Sequence, residues 1–227
     1  MLSSWCDDLT GLPEEVWMAY AHAREPLRGK VPRSEYADFY RRAVRCGEEQ
    51  ADSLRRELGG VSCREIAGRL GVTVEELPMP ESRGLATFAC FYEPDRIELY
   101  TDNAQATQSL LQAAGLAQRM GDTDIGDMLL AHELFHVVQQ CEPELYVNQN
   151  HVLLWKLGKL RRESRLVSLE EVAAMAFARR LLGMAVSPYL YDVWMLLPTA
   201  PEQAQELYRR LMRLSEEVKA DADDALR

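Results

Sequence analysis

The 227-residue sequence predicts a mostly helical α+β fold carrying a small, mostly antiparallel sheet of about three strands. Three observations carry that expectation. Long stretches at both ends and in the middle repeat apolar residues at helical spacing. One pair of β-prone runs, between residues 85 and 100, flanks a turn that contains proline. The run Met128-Leu-Leu-Ala-His-Glu-Leu-Phe-His-Val-Val138 is apolar on every side, so as a helix it is buried nearly all round.

From the start of the chain, residues 12–58 predict two helices. Pro13 stands at the first turn of one, followed by Glu14 and Glu15, both favourable at a helix N-terminus. The segment around Gly29–Pro32 interrupts it. A second helix is expected from about Ser34 to Leu58, with Tyr36, Phe39, Tyr40, Ala43 and Val44 at helical spacing. His22 lacks ligand-spaced company and reads as structural or surface. After Gly59-Gly60, residues 62–77 imitate a helix-turn-helix, with Ile66, Ala67 and Leu70 inward and Gly71 in the turn. The would-be recognition helix is acidic and cut short by Pro78 and Pro80, and acids do not approach phosphates. A short helix leading into an extended segment is the expectation.

Leu85–Tyr92 and Ile97–Tyr100 read as a hairpin around Glu93-Pro-Asp-Arg96, with Ile97 and Leu99 on one face and Glu98 and Tyr100 on the other. A third strand is expected from Val72–Val74 or from the segment just before Leu85. Asp102 or Asn103 is positioned to cap a helix reaching Met120. Gly121–Asp124 is a turn that ends in cap residues and opens the apolar helix, which should stop near Cys141 because Pro143 follows. Val152–Gly158 reads as helical. Ser168 opens another helix through Leu182, and Glu202–Lys219 makes a last amphipathic one before a frayed tail at Asp221–Asp224. These breaks suggest a helical segment over 1–60, a core over 61–190 and a helical extension over 191–227, together one unit.

Hydrophobic residues make up 47% of the chain, enough for a packed core. The net charge of −10, without a run of Lys or Arg, argues against nucleic acid as a partner. Arg161-Arg162, Arg179-Arg180 and Arg209-Arg210 are isolated pairs, expected on solvated helix faces. The five cysteines are odd in number and never at CxxC spacing, so neither a disulfide framework nor a zinc ribbon follows. The N-terminus lacks the features of a signal peptide, and no run is long enough for a membrane span. A cytoplasmic protein without membrane association is expected.

Within the apolar helix His132, Glu133 and His136 spell His-Glu-x-x-His. Two histidines four apart share one helix face, with Cβ atoms about 5–6 Å apart, so both imidazoles can hold one tetrahedral ion. Glu133 points beside that ion, where a base acting on a water molecule belongs. A lone histidine on an apolar helix is usually a satisfied core residue. Here unpaired polar groups would each cost about 1–3 kcal/mol, and an unpaired carboxylate more, and a metal removes that penalty for the imidazoles.

Zinc at a catalytic site takes three protein ligands. The extended pattern would place glycine and histidine three and six residues after His136, where this chain has Gln139 and Glu142. Glu142 remains a candidate ligand. A glutamate from a second helix is the other arrangement, and small residues should follow it so that the helix can come close. Glu171, with Ala174 and Ala178 on its face, suits this; Glu170, with Ala173 and Ala174, is comparable. Against Glu171 stands the spacing Ser168-x-x-Glu171, which is that of a capping box. For a developing oxyanion His151, Tyr189 and Tyr191 are candidates by chain order alone.

Over residues 62–184 the chain resembles the ImmA/IrrE family of bacterial intracellular metallopeptidases. The likeness rests on Ile66-Ala67-x-x-Leu70-Gly71-Val72, the hairpin, His132-Glu-Leu-Phe-His136, and Glu171-Val-Ala-Ala-Met-Ala-Phe-Ala-Arg-Arg-Leu-Leu-Gly-Met184. In the second signature Glu171, Ala174, Phe177, Ala178, Leu181 and Leu182 match. Ala173 replaces an acid, and Met175 replaces the Asn or Asp that would accept a hydrogen bond from a ligand histidine. Gly183-Met184 stands where that family has Met-Pro. The resemblance implies a sheet packed on the His-Glu-x-x-His helix, a Zn2+ ion on His132, His136 and Glu171, and Glu133 as catalytic base. It also implies an endopeptidase that cuts a protein partner such as a helix-turn-helix repressor. The alternative is a non-enzymatic, metal-binding regulator of the same fold.

Overall fold

The computed structural model describes residues 2–79 and 88–225. Its mostly helical α+β architecture is the one expected. A helix absent from the sequence reading comes first: α1 (Leu2–Thr10) buries Trp5, Cys6 and Leu9 on one face. Their spacing was the available signal. α2 (Glu14–Arg24) and α3 (Arg33–Leu58) follow, close to the expected bounds. His22, in the last turn of α2, is structural, its Nε2 2.9 Å from the Val31 carbonyl.

α4 (Cys63–Arg69) starts with a full capping box between Ser62 and Glu65. Gly71, at φ +74°, then turns the chain into β1 (Thr73–Leu77). The would-be recognition helix is therefore a strand, and no helix-turn-helix forms there. β2 (Ala89–Tyr92) and β3 (Arg96–Tyr100) make the expected hairpin, with Phe91 opposite Ile97. Its first residues, Leu85–Thr87, lie outside the described residues, as does the alternative third strand before them. β1 fills that role and pairs parallel to β3, with Val74 opposite Ile97, giving the order β1-β3-β2. Ile97 and Leu99 are buried as expected. Tyr100 is buried too, donating its hydroxyl to Glu98 at 2.7 Å.

α5 (Thr101–Ala113) is shorter than expected, because Gly115 takes φ +67° and a separate 3-10 turn covers Gln118–Met120. α6 (Ile125–Cys141) has the expected bounds, and the Asp124 side chain caps it by accepting from the Asp127 amide. The edge strand β2 lies against α6. A short α7 (Tyr146–Gln149) follows.

Residues 152–164 differ from expectation. They form an antiparallel hairpin, β4 (Val152–Leu157) and β5 (Leu160–Ser164), not a helix. An apolar run of this length fits either state, and Gly158 at φ +60° lets Gly158-Lys159 close a tight turn. Arg161-Arg162 accordingly sits on a strand. α8 (Val167–Leu182) ends at Gly183 in the left-handed region. A 3-10 turn (Pro188–Leu190) leads to α9 (Tyr191–Leu196), and α10 (Pro201–Ala225) closes the chain. α10 runs through the segment expected to fray, where Asp221 pairs with Arg33 at 3.0 Å.

One apolar core extends from Trp5 to Leu214, so all three sequence segments contribute to it. Among the described residues no helix is long and apolar enough to cross a membrane. The tightest helix contact is α3 on α8. A Cβ on Gly47 would stand 2.1 Å from the Ala173 carbonyl oxygen, and Arg180 clamps Asp52 across the same seam at 2.8 and 2.9 Å.

Gly47→Ala should therefore force the two backbones apart. Denaturant unfolding should show a loss of about 1–3 kcal/mol or more, whereas Gly68→Ala, in open space, should lose nothing.

Candidate metal centre

α6 and α8 supply the three donors. His132 and His136 stand one turn apart on α6 with Nε2 atoms 3.4 Å from each other. From α8, Glu171 brings Oε2 to 3.3 Å from His132 Nε2 and Oε1 to 3.8 Å from His136 Nε2. Donors held at about 2.0–2.1 Å from one ion in a tetrahedron are about 3.3–3.4 Å apart. Two of the three separations match, and two imidazoles with one carboxylate are a set that zinc accepts. The residues present therefore fit the ion.

Neither of the other two candidate glutamates joins this group. Glu170 turns toward Arg165, 3.4 Å away, and Glu142 is exposed beyond the end of α6. The capping-box alternative for Glu171 is not formed. Ser168 lies inside α8, with its hydroxyl 2.7 Å from that of Tyr36. The carboxylate serving this helix end is Glu25, completely buried, which accepts from the Ser168 amide at 3.0 Å and the Leu27 amide at 2.9 Å. An acid at the positive end of α8 is favourable, and it leaves Glu171 free to face α6.

Each histidine needs its second nitrogen held if the first is to present a lone pair. His136 Nδ1 lies 3.1 Å from Gln139 Oε1, and the Gln139 amide donates to Asn148 at 3.0 Å. Asn148 in turn donates to the carbonyls of Gln139 and Glu142, closing the end of α6. His132 Nδ1 is buried without a partner among the described residues. Met175, standing where the resembled family has an acceptor, lines the same cleft.

Glu133 is buried and lines the cleft, accepting from the Phe91 amide at 2.8 Å. The edge strand β2 thereby fixes the carboxylate beside the two imidazoles. The cleft has a volume of about 1090 Å³ and is walled by β2, α6, α8 and the 3-10 turn at Pro188. Of the oxyanion candidates only Tyr189 lines it; His151 is exposed with Nδ1 on the Gln149 carbonyl, and Tyr191 is buried outside the lining. Sequence reasoning passed over Arg24 and Asp192, which also line the cleft. They pair at 2.7 Å, with the Tyr20 hydroxyl on the same carboxylate oxygen at 2.8 Å. Burial pushes the Asp192 carboxyl up, against the lowering pull of Arg24. These residues come together from positions about 170 apart, so spacing held no signal for them.

Electrostatics couple the donors. Burial disfavours a charged His132, but the hydrogen bond and charge of Glu171 outweigh it and raise its pKa from 6.5 to about 9. Desolvation in the cleft would raise Glu171, yet the hydrogen bond and charge of His132 prevail and lower it from 4.5 to about 2. In the metal-free protein the His132 contribution to stability is thus complete below pH 6.5 and is lost as pH rises through about 9. The Glu171 contribution is present above pH 4.5 and is lost as pH falls through about 2.

Comparison of the chain with models of protein families, with curated proteins and with solved structures found no match in any of the three.

Two outcomes are expected of this centre. By NMR of the metal-free protein the His132 imidazole should titrate near pH 9, and zinc added at pH 7.5 should displace its proton; a midpoint near 6.5 would contradict the coupling. Gln139→Ala should weaken zinc affinity about 10–100-fold in a competition titration with a chelator, beyond the about 1–3 kcal/mol that the lost bond to Asn148 costs the metal-free fold.

Proposed function

We propose that the chain is a zinc-dependent endopeptidase of the ImmA/IrrE type, acting on a peptide bond in a protein partner. One observation carries the reading: two imidazoles and a carboxylate from separate helices converge at separations suited to one ion, with the Glu133 carboxylate fixed beside them. His132, His136 and Glu171 would hold the metal. Zinc bound there supplies a Lewis acid that makes a water molecule acidic at neutral pH and polarises a carbonyl.

The chain's own groups do the rest. Glu133 accepts a proton from the attacking water and passes it to the leaving amine. The Phe91 amide holds one oxygen of that carboxylate, which leaves the other to shuttle the proton. Gln139 orients His136. Tyr189, whose phenol burial keeps protonated, is the cleft donor assigned to the carbonyl oxygen as it gains charge. A repressor of the helix-turn-helix kind is the partner class that the sequence resemblance suggests.

A second reading, a metal-binding regulator without hydrolytic activity, is favoured by the Nδ1 of His132, which finds no partner among the described residues. A buried donor without an acceptor weakens a ligand that a working site holds firmly. Metal analysis paired with cleavage of a candidate repressor separates the two readings.

Glu133→Gln should retain stoichiometric zinc by elemental analysis and lose cleavage by about 10²–10⁴-fold. Undiminished cleavage by that variant would remove Glu133 as the base.

A further inference from the structure

All five exposed large apolar residues among those described fall between 153 and 167: Leu153, Trp155, Leu157, Leu160 and Val167, at 49–74% exposure. The first four belong to the β4–β5 hairpin. Leu157 stands opposite Leu160 and Trp155 opposite Arg162, so Trp155, Leu157 and Leu160 share one face. Exposed apolar side chains gathered this way mark a contact surface rather than scatter. The hairpin is a two-stranded sheet of its own, and no other strand among the described residues pairs with its outer backbone edges.

Its charge runs against that of the chain. Lys156, Lys159, Arg161, Arg162 and Arg165 face a single acid, Glu163, within residues 151–165 of a chain at −10. Among the described residues Lys156, Lys159 and Arg162 have no ion-pair partner, whereas Arg161 reaches Glu163 at 3.6 Å. Both feet of the hairpin stand at the metal cleft. Asn148 precedes it and Arg165 follows it, both line the cleft, and Arg165 donates to Asn148 at 3.4 Å. Asn148 is also the residue that anchors Gln139 behind His136.

We propose that the β4–β5 hairpin is a docking arm that captures an extended, acidic and apolar segment of a protein partner and delivers it to the cleft. The proposal rests on the peptidase reading for what happens after capture, but capture itself does not need the metal. Charge complementarity selects the occupant: acids on one face meet Lys156 and Arg161, which stand opposite each other. Alternate apolar side chains on the other face cover Trp155, Leu157 and Leu160, with an acid at the end of that face reaching Arg162, while the backbone pairs with the open edge. A second copy of this chain is disfavoured, because pairing two such hairpins sets like charges against each other. A lipid surface is disfavoured by Lys159, which sits at the tip between Leu157 and Leu160 and would have to enter the bilayer first.

The test uses the full chain carrying Glu133→Gln, so that no probe is consumed. The probes are a short fluorescent peptide alternating glutamate with leucine or valine, its lysine-for-glutamate counterpart, and phosphatidylserine vesicles. The acidic peptide should bind at least about tenfold more tightly than the basic one and weaken with salt. The triple variant Lys156→Glu, Arg161→Glu, Arg162→Glu, and separately Trp155→Ser with Leu157→Ser, should each lower that affinity about tenfold or more. Zinc content and melting temperature should not change, because these side chains are exposed. Equal binding of both peptides, or affinity untouched by either variant, would overturn the arm. So would vesicle binding in place of peptide binding, or a concentration-dependent dimer that Trp155→Ser with Leu157→Ser dissolves. Cleavage of an unstructured peptide by the wild type is read separately. Docking without cleavage keeps the arm and removes the hydrolase; cleavage without docking removes the arm alone.

Discussion

The donor triad depends on how closely α8 can approach its two neighbours. On one side α8 lies against α3 so tightly that Gly47 has no room for a methyl group beside the Ala173 carbonyl. On the other it faces α6, where Glu171 spans the gap to two imidazoles. Buried alanines at 173, 174 and 178 permit both approaches at once. A bulkier residue on either face would push the carboxylate away from the histidines, since a packed interior has no slack to absorb it.

Polar groups around that contact are arranged so that the carboxylates are divided by task. Glu25, sealed in the core, satisfies the amide at the start of α8. Glu133 is tied to the edge strand. Glu171 faces the two histidines, with the charge of Arg24 nearby. Gln139 and Asn148 form a short relay from the imidazole of His136 to the foot of the β4–β5 hairpin. The hairpin and the centre therefore share a support, and Arg165 at the foot of one lies three hydrogen bonds from the His136 imidazole of the other.

The legible parts of the chain were those with a local cause. The capped start of α6 at Asp124 and its stop before Pro143 follow from residues within a few positions, and both agree with the structure. The β2–β3 pair was readable from its turn and its alternation. Val152–Leu157 was misread because a short apolar run satisfies a helix or a strand equally, and the exposure of its leucines is not what burial-based reasoning anticipates. The helix at Leu2–Thr10 went unread although Trp5 and Leu9 are one turn apart.

By itself the sequence determined that His132 and His136 share a helix face with Glu133 beside them, because a spacing of four residues acts within one turn of backbone. For the third donor it favoured Glu171, with Glu170 and Glu142 as alternatives. Tertiary structure brought Glu171, rather than Glu142 or Glu170, up to the two imidazoles, placed Glu25 at the start of α8, and left His132 Nδ1 without an acceptor among the described residues. The physical reason is distance along the chain. A helix turn is fixed by neighbours, whereas a carboxylate 39 positions beyond a histidine is placed by packing that no local pattern records.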